Sequence, residues 1–225
     1  MAEIEFWKLG IPALGAVILC IQNLLIIMLL FTMEERLEVW PFIFILDLIG
    51  FSILGVGCLL LAIDHSRIIN PLLAGVAFFG WVGFSLLWRF MINFYTLTTP
   101  LSIYPEWITM GFFLLGAISL VIAFFFFWRS LSEYEGGRQF NLIGIIISII
   151  YTVTNLIFAI LAFLSTLGHP ETNGANGGLE AFLAALVTGM LILLSVLFVK
   201  MLLIPILGIF NFVMVIFVLI LMLKR

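Results

Sequence analysis

The stretch "LEAFLAALVTGMLILLSVLFVKMLLIPILGIFNFVMVIFVLILM", residues 179–222, decides how many times the chain crosses a membrane. It is apolar almost throughout, interrupted chiefly by Glu180, Lys200, Pro205, Gly208 and Asn211. As one straight helix it would reach ~65 Å at a rise of ~1.5 Å per residue. That is roughly twice the hydrocarbon thickness of a bilayer. Apolar side chains gain nothing by projecting into water, so the stretch divides near Lys200–Pro205, where a charge and a helix-breaking residue fall together. The expected result is two spans joined by a tight hairpin. Six spans with a re-entrant or interfacial segment is the alternative.

Five further apolar segments precede it, so the expected spans are about 9–32, 40–63, 70–97, 107–128, 141–166, 179–199 and 204–223. Each is long enough to cross a hydrocarbon core of ~30 Å. The fold class is all-α: a polytopic transmembrane helical bundle of seven spans, forming one integral-membrane domain over residues 1–225. Composition agrees. Apolar residues make up 65% of the chain and charged ones 9%, against about 45–50% and about 25% in a soluble domain. The 24 phenylalanines and 4 tyrosines suit a lipid-facing surface better than a polar pore. Trp7, Trp40, Trp107 and Trp128 fall near segment ends, where indoles anchor at the interface.

Composition also removes classes of function. The net charge of −3 is spread over the connections, with no basic cluster for nucleic acid. Cys20 and Cys58 lie in apolar segments and read as small buried hydrophobes. The two histidines, His65 and His169, both fall in connections. Bis-histidine haem ligation within the membrane and three-histidine zinc sites are therefore excluded for this chain alone. No GxSxG or Walker A motif is present. Ser52, Ser85, Ser119, Ser148 and Ser195 have no histidine or lysine at matching depth. No enzymatic activity, cofactor or metal is expected.

Within the third segment, "GWVGFSLLWRFMINFY" (80–95) carries Arg89. An ionisable residue inside a span costs about 2.5–3.5 kcal/mol on insertion scales and usually has a partner. Asp47, in "FIFILDLIG", is the candidate. It lies ~10 Å from the start of the second span, and Arg89 lies ~12 Å from the end of the antiparallel third span. The same arithmetic brings Gln22 and Asn23 into that layer, with Asn155 somewhat deeper beside Tyr151, Thr152 and Thr154. Three readings stand: a substrate, ion or proton site around an Asp–Arg pair, a buried ion pair that fixes packing, or an Arg89 that snorkels to the interface. Lys200, Pro205, Gly208 and Asn211 form either an ordinary hairpin turn or a broken helix of the transporter kind.

With seven spans and Lys8 in the cytoplasm, Arg67, Arg129, Arg138 and Lys200 are also cytoplasmic, while Arg36, Lys224 and Arg225 lie outside. The positive-inside rule then places the N-terminus in and the C-terminus out. Six spans would bring the terminal Lys-Arg inside as well. The function expected is that of a non-catalytic packing or accessory subunit of a larger membrane complex. Its partners are the lipid bilayer and other membrane subunits or further copies of itself. A small ion or solute channel or transporter built on Asp47, Arg89, Asn23 and Asn155 is the alternative.

Overall fold

The computed structural model describes residues 6–32, 39–64, 69–98, 106–132, 138–167 and 199–224. These form six long helices: α1 (Phe6–Thr32), α2 (Val39–Asp64), α3 (Ile69–Thr98), α4 (Glu106–Ser132), α5 (Arg138–Leu167) and α6 (Ile204–Leu223). Among the described residues there is no strand. Helices are the expected outcome, because in hydrocarbon a backbone must satisfy its own N–H and C=O groups. All six are long and apolar enough to cross a membrane, and the chain is an integral, multi-pass membrane protein. The expected span 179–199 falls outside the described residues except for Val199.

The helices are arranged as a ring. Each of α1 to α5 packs on the next, and α6 closes the circle between α5 and α1. The α1–α2 contact is the tightest approach of backbones. A Cβ added at Gly15 would lie 2.9 Å from both the Gly50 carbonyl oxygen and the Leu54 amide nitrogen. One turn and more away, the ring of Pro12 fills the space left by Gly57. These contacts run antiparallel, and so does the α3–α4 pair, where the Ser119 hydroxyl donates to the Ala77 carbonyl at 2.8 Å.

The direction of α6 follows from two contacts. Gly208 lies against the Asn23 amide, and Phe212 lies against Phe51, 6.2 Å between ring centroids. Phe51 neighbours Gly50, which sits at the level of Gly15 and Leu19 on α1. Passing from Gly208 to Phe212 therefore runs back along α1, and α6 is antiparallel to it. The buried faces agree: Phe212, Val215, Leu219 and Met222 descend α6 as Leu19, Ala16, Pro12 and Leu9 ascend α1. Helices α1 and α6 thus begin at opposite ends of the bundle, and the C-terminal end of α5 lies at the same end as the start of α6. A direct seventh crossing between them would require the reverse direction for α6.

Nor does the backbone turn back between Lys200 and Pro205. Residues Val199–Leu203 form a π-helical turn that runs straight into α6, with Pro205 in its first turn. The helical backbone is continuous across the proline, and the wider π-helical turn just before it is where the ladder adjusts to the missing N–H. The charge and the proline mark an irregular helix entry, not the expected hairpin.

The axis of the ring is filled by aromatic side chains. Phe51 of α2, Phe78 of α3, Phe124 and Phe127 of α4, Tyr151 of α5 and Phe212 of α6 are all buried. Their centroids are 5.4 Å apart for Phe78–Phe124, 5.9 Å for Phe124–Tyr151 and 6.2 Å for Tyr151–Phe212, mostly edge to face. Such pairs gain about 0.5–1.5 kcal/mol beyond area burial. The phenylalanines are thus divided between a lipid-facing set, such as Phe42, Phe90, Phe125 and Phe210, and this core. Trp7 and Trp40 are exposed near the helix ends, at 47% and 41%.

The close α1–α2 approach gives a direct test. Gly15→Ala is expected to destabilise the bundle by about 1–3 kcal/mol, the usual cost of overpacking against groups that cannot move. Gly83 has open space where its Cβ would be, so Gly83→Ala is the control and should leave the melting temperature in detergent unchanged. Equal melting of the two variants would contradict the backbone contact.

Candidate functional site

Asp47 stands on the same stripe of α2 as Ile43, Gly50, Phe51 and Leu54, all of them buried. The carboxylate therefore points into the ring, one turn from the aromatic plug on the Trp40 end, and is itself half-buried. Its Oδ2 accepts a hydrogen bond from the Trp81 indole N–H of α3 at 3.2 Å. Trp81 is held by the plug, packing edge-on against Phe51 at 5.9 Å.

Arg89 has a different neighbour. Its guanidinium lies over the Phe44 ring, 5.6 Å from the centroid, and no ion pair joins it to Asp47. The register explains why. The contacts of Phe51 with Phe78 and of Asp47 with Trp81 place Arg89 opposite the first turn of α2. That is about seven to eight residues, or ~11 Å, closer to the membrane edge than Asp47. Counting from segment ends made the two depths equal, because the ends of α2 and α3 are not level. Arg89 is the snorkelling, ring-stacked cation of the three readings, at a site where such stacking contributes about 0.5–1 kcal/mol or more.

Of the other expected residues, Asn23 and Asn155 have partners of their own. Asn23 is buried on α1, donates to the Leu19 carbonyl at 2.8 Å, and lies against Gly208 of α6. A side chain at position 208 would displace that amide. Gln22 is buried beside it. On α5, the half-buried Asn155 donates to the Tyr151 carbonyl at 3.0 Å. Asp47 and Trp81 thus meet between the aromatic plug and the Trp40 end, while Asn23, Gln22 and Asn155 lie on the flanking helices α1 and α5. Trp81 is the residue that the sequence reading omitted. Its place eight residues before Arg89, on one helical face, was the available signal.

A second polar cluster lies on the other side of the plug. The Trp128 indole N–H donates to the Ser148 hydroxyl and, at 3.3 Å, to Asn211 Oδ1, which also accepts from the Ser148 hydroxyl. The three residues come from α4, α5 and α6 and are fully buried. Trp128 is therefore an interhelical core residue, not the interfacial anchor its place near a segment end suggested. Asn211 leaves its Nδ2 without a hydrogen-bond partner. Beside this cluster an apolar groove of about 270 Å³ runs between α4 and α5, bordered by Trp128, Ser148, Thr152 and the lipid-facing Phe125, Ile149 and Val153. Among the described residues no group of acids, histidines or cysteines has the makings of a metal site.

Double-mutant cycles separate these contacts. Asp47→Asn and Trp81→Phe are expected to couple by about 0.5–1.5 kcal/mol, as contacting pairs do. Asp47→Asn and Arg89→Gln should add without coupling, and an Asp47→Arg/Arg89→Asp exchange should rescue nothing. Rescue by the exchange would show an ion pair that this geometry does not contain.

Comparison with known protein families, with curated proteins and with solved structures finds no match, so the reading of function rests on this geometry.

Proposed function

We propose that this chain is a non-catalytic integral membrane protein that packs within, and stabilises, a larger membrane assembly. The observation that carries the reading is the aromatic plug. Buried rings from five of the six helices meet on the axis of the ring, where a channel or carrier needs a path. The wide apolar face of α5 supports it too, with Leu142, Ile146, Ile149, Val153, Ile157 and Ile160 all exposed along the helix. A second reading, a small ion or solute transporter, draws on one specific feature: a carboxylate inside the span layer whose described partner is an indole and not a cation.

We further infer six crossings with both termini in the cytoplasm. The direction of α6 places its C-terminal end at the Trp7 end of the bundle. Lys8, Arg67, Arg129, Arg138, Lys224 and Arg225 then share one face, against Arg36, Arg89 and Lys200 on the other. This asymmetry supports the cytoplasmic assignment more strongly than the seven-span arrangement did.

Two measurements test these readings. Extraction from the native membrane in mild detergent, followed by native mass measurement, should find the chain in stoichiometric company with other membrane proteins. A lone monomer would sink the subunit reading and move attention to flux through liposomes. Single cysteines placed near residue 4 and at residue 225 of a cysteine-free chain should react with an impermeant maleimide from the same side. Labelling from opposite sides would restore seven crossings.

A further inference from the structure

We propose that Asp47 is a reversible proton-binding site served from one face of the membrane only, the face on which α2 begins. The geometry points to this in three steps. First, the carboxyl is aimed into the bundle and keeps partial exposure although its stripe-mates Ile43, Gly50, Phe51 and Leu54 are buried. Second, the bundle is closed on one side of it. Between Asp47 and the Trp7 end the rings of Phe51, Phe78, Phe124 and Phe212 lock together at centroid distances of 5.4–6.3 Å, which leaves the Trp40 side as the route assigned to the proton. Third, among the described residues no cation is paired with Asp47, whose partner is the Trp81 indole.

The groups that face Asp47 from each packed helix make the last point specific. From α3 come the Trp81 N–H, bonded to Oδ2, and Arg89, turned onto Phe44. On α1, toward the same end, lie the buried amides of Gln22 and Asn23, the latter bonded to the Leu19 carbonyl. Helix α5 carries Tyr151 and Asn155, and α6 carries no titratable residue from Ile204 to Leu223. Between Trp107 and Trp128, α4 carries none either. A carboxylate in such surroundings is expensive when charged and unpaired. A proton taken up on Oδ1 cancels that charge and leaves the Trp81 bond to Oδ2 in place. The exchange is simple: one proton enters from the water of the Trp40 face to give the acid, and leaves by the same route. Its consequence is local, because the strength of the Trp81 bond, and so of the α2–α3 contact at this level, depends on whether the acceptor is ionised. This inference is independent of the subunit reading, since a lone monomer and an assembled subunit would both carry it.

Infrared spectroscopy of the full chain in lipid vesicles tests it. The expected result is a protonated-carboxyl C=O band that shifts in D2O, rises and falls reversibly with pH, and is missing from Asp47→Asn. Trp81→Phe, which removes the donor to Oδ2, should keep the band and move it to higher frequency; this arm holds even where Asp47→Asn fails to fold. In vesicles with clamped internal pH, the band should follow the pH of the face opposite both termini. The proposal is overturned by a titrating band that survives in Asp47→Asn, by no titrating band in the wild type, or by an unshifted band in Trp81→Phe. A response to the other face overturns it too, as does a band set by sodium at fixed pH, which would make a metal cation the occupant.

Discussion

Phe51 and Phe124 each meet four other rings and together tie five helices at the axis of the bundle. Phe51 is the one that depends on α2. Its ring meets Phe78 and Trp81 of α3, Phe124 of α4 and Phe212 of α6, all between 5.8 and 6.3 Å. In a bilayer the lipid tails are as apolar as these rings, so no hydrophobic drive gathers them. What holds them is close packing and the preference of one ring's edge for another's face. That preference needs the helices at defined distances, which is why the bare approach of α1 to α2 through Gly15 and Gly50 matters far from its own location. Spread that pair, and Phe51 moves with α2.

The plug also sorts the polar side chains. On one side lie Asp47, Trp81, Tyr151 and Asn155; on the other lie Trp128, Ser148 and Asn211. The two clusters differ in kind. The second is neutral and largely self-satisfied, and it ties three helices together where hydrogen bonds average about 0.6 kcal/mol each. Its one loose end is the Asn211 Nδ2. The first contains an acid, Asp47, bonded to the Trp81 indole. A purely structural layer would be better served by another neutral amide at position 47, since a buried acid adds cost without adding a donor unless it is protonated.

Much of this was legible before any coordinates. Span boundaries followed from runs of apolar residues, and the depth of Asp47, Asn23 and Asn155 followed from counting at a fixed rise per residue. What counting could not supply was rotation about each helix axis and the offset between helix ends. Both decide whether Arg89 reaches Asp47, and the second moved it about two turns away. Uniformly apolar helices carry no amphipathic stripe from which rotation can be read. The same blindness made all phenylalanines look lipid-facing, although Phe51, Phe78, Phe124, Phe127 and Phe212 are core. It also made Trp128 look like an interfacial anchor. Lys200 and Pro205 misled for another reason: the helix runs on across the proline, with a π-helical turn before it to absorb the missing N–H.

Arg89 and Asp47 then cease to be one problem. A charge at the edge of a span is cheap, because its stem reaches the interface and an aromatic ring can cover it. A charge about two turns deeper is not, and among the described residues no cation pairs with it. Insertion energetics make the deeper residue, and not the more conspicuous arginine, the one that calls for a functional explanation. The aromatic plug limits what that explanation can be. A proton can be taken up and released at a site closed on one side, whereas a solute passing through the bundle would require Phe51, Phe78, Phe124 and Phe212 to separate together, at the expense of the contacts that hold the ring closed.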